Sequence, residues 1–281
     1  MPDNFYGGLD FGTSGVRISI IDLHKELVYS NSVPYLYSFK NPNSWINSCE
    51  KILDSIPVEV KSNLNKLAIS GTSGTLMASN LKGEPMGEAI PYHQACNESK
   101  ILVESLTFGE DHLQTPYSSL AKALNLIDKY GTNILLRHQS DWITGWFLKD
   151  WTYGEEGNNL KLGWDIKKGS WPISFLNTSW QKCLPEIIKS GKIIGKVNSD
   201  LAKKLNLNNQ LILISGTTDS NASLIAASLG KEDGLTVLGT TIVVKKIIDK
   251  PVKELGITTH RVSGNWICGC LLYTSPSPRD P

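Results

Sequence analysis

The chain has 281 residues, with 28 lysines and arginines against 27 aspartates and glutamates, a formal charge of +1. Its 40% apolar content and 24 glycines are ordinary for a globular protein, which excludes a disordered chain or a coiled coil. With no cluster of basic residues, neither nucleic acid nor an anionic membrane surface is expected as the main partner.

In chain order, residues 6–12 read as a strand and Thr13-Ser14-Gly15 as a turn. Val16, Ile18 and Ile20 then alternate with Arg17 and Ser19 in a second strand. A third strand is expected over 27–33. Pro42 stands where a helix can open, Trp45, Ile46, Cys49, Ile52, Leu53 and Ile56 follow at helical period, and Pro57 ends it. Residues 67–70 form a short apolar strand that runs into Gly71-Thr72-Ser73-Gly74. Helices are expected over 118–130, with Gly131 as the C-cap, and over 141–149. Beyond these come a helix over 200–205, a strand over 211–215, a helix over 220–229 and a strand pair over 235–248. The class is α/β with an antiparallel opening meander, unlike a doubly wound dinucleotide-binding sheet.

The N-terminus lacks a basic stretch followed by an apolar one, and no apolar run approaches the roughly 18 residues of a membrane helix. The five cysteines are scattered, without a C-x-x-C, and Cys49, Cys96 and Cys183 are expected as small buried apolar groups. A cytoplasmic protein without a catalytic zinc is expected. Six tryptophans (Trp142, Trp146, Trp151, Trp164, Trp171, Trp180) fall between residues 142 and 180, and core or edge packing is expected of them rather than sugar stacking.

Four Gly-Thr turns each follow an apolar strand: Gly12-Thr13-Ser14, Gly71-Thr72-Ser73, Gly216-Thr217-Thr218 and Gly239-Thr240-Thr241. The first and last sit in matching hairpins 227 residues apart, which suggests two lobes built from one unit. Turn N–H groups with threonine and serine hydroxyls form a cradle for phosphate oxygens. Competing motifs fail on spacing. Gly7 to Gly12 has the P-loop interval but lacks the lysine, no G-x-G occurs, and Gly71-Thr72-Ser73-Gly74 is one residue short of a nucleophile elbow. Two carboxylates remain. Asp10 places a charge inside an apolar strand, where it needs a partner such as Mg²⁺ or its water shell. Asp219 stands between a strand and a helix, as a helix cap or as the base of phosphoryl transfer.

The stretch Gly8-Leu9-Asp10-Phe11-Gly12-Thr13-Ser14-Gly15-Val16-Arg17 resembles the first phosphate motif of the FGGY-family carbohydrate kinases. Gly216-Thr217-Thr218-Asp219-Ser220 resembles that family's catalytic-aspartate motif, and Leu238-Gly239-Thr240-Thr241 its second phosphate motif. Gly71-Thr72-Ser73-Gly74-Thr75, Tyr92-His93-Gln94-Ala95-Cys96, Ser118-Ser119-Leu120-Ala121-Lys122, Ser140-Asp141-Trp142 and Asn159-Leu160-Lys161-Leu162-Gly163 are similar to the D-ribulose kinase branch.

The resemblance implies an actin-like (ribonuclease H-like) two-lobe fold and ATP-dependent phosphorylation of a ketopentose, with a small sugar, ATP and Mg²⁺ as ligands. Asp219 would be the catalytic base. Asp10 would organise Mg²⁺ and touch the sugar, and Ser73 would join Asp10 and Asp219 at the sugar. Thr13, Ser14 and Gly15 from one lobe and Gly239, Thr240 and Thr241 from the other would hold phosphates. Gly-Thr-Ser-Gly stands where a related group carries Gln-Met-His-Gly, which disfavours xylulokinase proper. A kinase for another sugar such as xylulose, or a non-catalytic actin-like ATP-binding module, is the alternative.

The implied layout is a first lobe over 1–228 and the start of a second, ATP-binding lobe over 229–269. The resemblance stops at Gly269. Residues 270–281, with three prolines among the last six, read as a foreign or flexible tail. The second lobe is therefore expected to be incomplete and the chain's own turnover low, with exposed strand edges near 241–248.

Overall fold

The computed structural model describes residues 4–107, 113–230, 232–238, 242–252, 254, 256–262 and 264–272. It opens with the antiparallel meander β1 (Phe5–Phe11), β2 (Gly15–Ile21) and β3 (Leu27–Pro34). Leu9 and Phe11 of β1 and Val16, Ile18 and Ile20 of β2 are buried while Arg17 and Ser19 face solvent, as a period of two requires. Helix α1 (Pro42–Asp54) follows. Asn41 caps it by accepting from the Asn43 N–H at 3.0 Å, and Trp45, Cys49, Ile52 and Leu53 are fully buried on one face. A short helix α2 (Val58–Ser62) leads into β4 (Leu64–Gly71).

The chain then builds a second centre: β5 (Leu76–Ser79), α3 (Lys100–Leu106), α4 (Ser119–Tyr130) and β6 (Leu135–His138), with β5 and β6 antiparallel. Ser118 caps α4 through the Ala121 N–H at 3.1 Å, and Gly131 ends it at φ +74°. Next come α5 (Gln139–Leu148), β7 (Tyr153–Glu155), α6 (Glu156–Asn159), α7 (Ile173–Leu176), β8 (Glu186–Ile188), β9 (Ile193–Lys196), α8 (Ser199–Leu205), β10 (Ile212–Ile214) and α9 (Asp219–Ala226). The last part is a four-stranded antiparallel sheet of β11 (Gly234–Leu238), β12 (Ile242–Ile248), β13 (Ile257–Val262) and β14 (Asn265–Leu272).

The principal sheet has the order β3-β2-β1-β4-β10-β9, with β1, β4 and β10 parallel at its centre. One apolar core packs α1, α5 and α8 on this sheet and a second surrounds α4, β5 and β6. A third, smaller cluster joins Leu224 of α9 to Val262 and Ile267 of the last sheet.

Two expectations change. Strand β14 runs past Gly269 to Leu272, with Val244 opposite Cys270 and Ile242 opposite Leu272. The apolar Cys270-Leu271-Leu272 suits a strand, and the prolines come only afterwards. Strand β12 is interior, between β11 and β14, so the edges of this sheet are β11 and β13. Cys49, Cys96 and Cys183 are buried as expected. Trp142, Trp146 and Trp180 are buried too, and Trp142 meets Trp45 edge-on at 6.0 Å, which makes them core. Among the described residues no helix is long and apolar enough to cross a membrane.

Candidate active site

Parallel strands point the same way, so β1, β4 and β10 deliver their C-terminal ends to one edge of the sheet. The turns after them are Gly12-Thr13-Ser14, Thr72-Ser73-Gly74 and Gly216-Thr217-Thr218-Asp219, three of the four turns marked in the sequence. Crevices outside the carboxyl ends of parallel strands are where open α/β sheets bind ligands. A bridge between Gly71 and Thr218 holds the second and third turns side by side. Gly216 has to be glycine, because a Cβ there would collide with the Ile69 carbonyl. The fourth turn's Gly239, Thr240 and Thr241 lie outside the described residues.

Asp10 lies near the end of β1 with its side chain 39% exposed. Its partners are Arg17, whose Nη1 donates to Oδ2 at 3.2 Å, and Ser70, whose Oγ donates to Oδ1 at 3.0 Å. The charge in an apolar strand thus has two partners from adjacent strands, and lone pairs remain for a hydrated cation. The turn after β1 closes with the Gly12 N–H donating to the Gly15 carbonyl at 3.0 Å, leaving Thr13 and Ser14 exposed. Gly15 sits so close to the Val33 carbonyl that a side chain would clash.

Ser73 is half-buried in the loop after β4. That loop is fixed from both sides. The Thr72 N–H and Oγ1 donate to Gln139 Oε1 at 3.0 and 2.8 Å, and the ammonium of fully buried Lys122 donates to the carbonyls of Gly74 (2.9 Å), Tyr92 (3.1 Å) and Tyr117 (2.9 Å). Lys161 Nζ donates to the Ser73 carbonyl at 3.3 Å. Its side chain is open to solvent along the cleft yet crowded by protein, and the crowding lowers its pKa against the pull of Asp219.

Asp219 is the first residue of α9, and the cap before it is Thr218, which accepts from the Asn221 N–H. Asp219 is thereby free of the capping role, and its own Oδ1 accepts the Ser220 N–H at 2.7 Å. Burial raises its pKa, the Ser220 N–H opposes this, nearby Asp10 adds to the rise, and Lys161 and Lys245 lower it. The structure therefore brings Asp10, Ser73 and Asp219 to the same edge of the sheet, at the C-terminal ends of β1, β4 and β10.

Sequence reading quoted Lys161 only within a family-like stretch and gave it no role, and it passed over Lys245 and the contact between α6 and the last sheet. Lys245 is a buried cation in the middle of β12, and its Nζ donates to Ser220 Oγ at 2.9 Å and to Asn221 Oδ1. Burial lowers its pKa to about 8. The signal was present: Ile242-Val243-Val244-Lys245-Lys246-Ile247-Ile248 places charge inside an apolar strand, as Asp10 does. His260 of β13 is held neutral by burial and by the two lysine charges, its pKa pushed down to about 3. Arg261 reaches from β13 to α6, with Nε to Glu156 Oε1 at 3.1 Å and Nη2 to Glu156 Oε2 at 2.6 Å.

No family model matches the chain. A xylulose kinase of Lactococcus lactis is 25% identical over an aligned length of 288, which covers 92% of this chain and 56% of that protein. Ligand-bound xylulose kinase from Lactobacillus acidophilus superposes with a TM-score of 0.81 at 16% identity, over 95% of this chain and 59% of its own. Glycerol kinase from Plasmodium falciparum, with ADP, gives 0.80 at 16% identity, over 97% and 62%. The fold is that of the actin-like two-lobe sugar kinases. The chain spans a little over half the length of these relatives.

Proposed function

We propose that this chain carries the sugar-binding lobe and catalytic base of an ATP-dependent carbohydrate kinase, acting on a ketopentose with D-ribulose first. The observation that carries the reading is Asp219, a carboxylate at the shared end of three parallel strands, free of the capping role and held above its ordinary pKa beside Asp10. A base whose pKa is raised toward neutrality accepts a proton more readily, and such a base is worth about 10²–10⁴-fold in rate.

Asp219 takes the proton from the sugar's primary hydroxyl, and Ser73, on the turn after β4, hydrogen-bonds the sugar. The exposed Thr13-Ser14 turn fits phosphate oxygens, and Asp10, partly open to the cleft, fits a hydrated Mg²⁺. When bound, ATP with Mg²⁺ supplies the phosphoryl group and neutralises its charge. Gly239, Thr240 and Thr241 belong to the same reading as phosphate contacts from the second lobe. The first lobe extends to residue 228 in this reading. Xylulose is the second acceptor, favoured by the name of the L. lactis relative.

The test is a melting-temperature screen of the purified chain against ketopentoses, ketohexoses and polyols. A ligand at a hundredfold excess over its Kd adds about 2.7 kcal/mol, a shift of several degrees for a chain of this size. D-Ribulose is expected to give the largest shift. A larger one with D-xylulose reassigns the acceptor, and no shift with any sugar sinks the proposal.

A further inference from the structure

Two lysines near Asp219 have no role in the kinase reading. Lys161 follows α6 and Lys245 lies in β12, so they approach from the two sides of the lobe junction. Lys245 is 3% exposed, and its ammonium is engaged by Ser220 and Asn221. Lys161 differs. It is open to the cleft, its one described acceptor is the Ser73 carbonyl at 3.3 Å, and an ammonium has three donors.

The charges around it do not balance. Arg17 compensates Asp10. Asp219 lies within electrostatic reach of both lysines, which together outnumber it. Burial, with the Lys161 charge adding to it, pushes the pKa of Lys122, behind the Ser73 loop, down to about 7. One cation is left over, beside the carboxylate that would take the acceptor's proton. A sugar hydroxyl is neutral and makes little use of a full positive charge. A phosphoryl group does, since bonds between ionised partners are roughly twice as strong as neutral ones.

We propose that Lys161 binds the phosphoryl oxygens of the phosphorylated sugar, which are joined through phosphorus to the ester oxygen beside Asp219. The proposal rests on the kinase reading, and it makes Lys161 a ligand of the phosphate and not of the sugar ring or chain.

Calorimetric titration of the 281-residue chain with a ketopentose and with its 5-phosphate separates the two. Wild type, Lys161→Met and Lys161→Arg are compared. The Met variant is expected to lose roughly tenfold or more in affinity for the 5-phosphate, and at least about fivefold more than it loses for the free sugar. The Arg variant, which keeps the charge, is expected to retain most of the phosphate affinity. If the Met variant fails to fold, Lys161→Gln takes its place. An equal loss for both ligands makes Lys161 a sugar contact and overturns the proposal, as does no loss for either. Wild type that binds neither ligand overturns the kinase reading and this proposal with it. Wild type that binds, with an unaffected variant, overturns this proposal alone.

Discussion

Asp219 is destabilising where it stands, because burial and the Asp10 charge both disfavour its ionised form. Its folded pKa lies above the unfolded value, so the folded state binds more protons and the group costs stability once pH exceeds the unfolded pKa of about 3.9. Asp219→Asn leaves the Thr218 cap and the Ser220 contact in place. Equilibrium denaturation at pH 7 should find the variant at least as stable as wild type, with the difference vanishing near pH 3. In a version of the protein with a complete second lobe, turnover should fall by about 10²–10⁴-fold. A variant that unfolds while keeping its rate per folded molecule would make Asp219 a structural residue.

Glu155 offers a second titration with a similar sign. It is 4% exposed, it caps α6 by accepting the Asn158 N–H at 2.8 Å, and burial raises its pKa to about 8. Unfolded glutamate titrates near 4.3, so between about pH 4.3 and 8 the folded state holds the extra proton and wild-type stability declines as pH rises. Glu155→Gln keeps an acceptor for the cap and has nothing to titrate. The stability of wild type relative to this variant should fall from pH 5 to 8, by at most about 1.4 kcal/mol per unit. Parallel pH profiles would show that Glu155 is ionised throughout.

At the scale of elements, the loop after β4 is positioned by a buried cation on α4. Lys122 ties Gly74 to Tyr92 and Tyr117 through their carbonyls. Lys122→Met fills similar volume but leaves three carbonyls short of a donor, at about 1–3 kcal/mol each before relaxation. A net loss of roughly 2–4 kcal/mol in urea denaturation is expected on that basis, with sugar affinity falling through misplacement of Ser73. Full stability in the variant would mean that water replaces the ammonium without cost.

The elements also show where local pattern is enough. Strands β1 and β2 and helices α1 and α4 were legible because alternation, helical period, the Pro42 start and Pro57 stop, Ser118 and the Gly131 stop all agree locally. The short strands β5 to β8 were not. Three- and four-residue segments such as Tyr153–Glu155 carry too little periodicity, and they are strands because a distant segment pairs with them, as Glu186–Ile188 does here.

For the whole molecule, the contact between α6 and the last sheet is the sensitive place. Glu156 is 2% exposed and its carboxylate is bound bidentately by Arg261 across a sequence separation of 105 residues. Removing one partner of a buried pair strands the other charge, which costs about 3–5 kcal/mol, while replacing both with neutral groups costs far less. Arg261→Met should therefore destabilise by about 3 kcal/mol or more and speed proteolysis between α9 and β11. The double variant with Glu156→Gln should recover much of the loss. Additive losses in that cycle would show that the pair is not coupled. The last sheet depends on this contact because, among the described residues, the apolar cluster beneath it has three buried members, Leu224, Val262 and Ile267, with Leu229, Leu235 and Ile247 partly buried against them.

The sequence alone established the α/β class, the opening meander, three of the turns at strand ends, and the two carboxylates Asp10 and Asp219, because each is written in neighbouring residues. The tertiary structure decided that these turns share one edge, since that follows from β1, β4 and β10 lying parallel and adjacent. It also decided that Thr218 is the cap, leaving Asp219 without that role, and that Lys161 and Lys245 come near it. Lys161 and Asp219 are 58 positions apart in the chain. Electrostatics depends on distance in space, and only packing sets that distance.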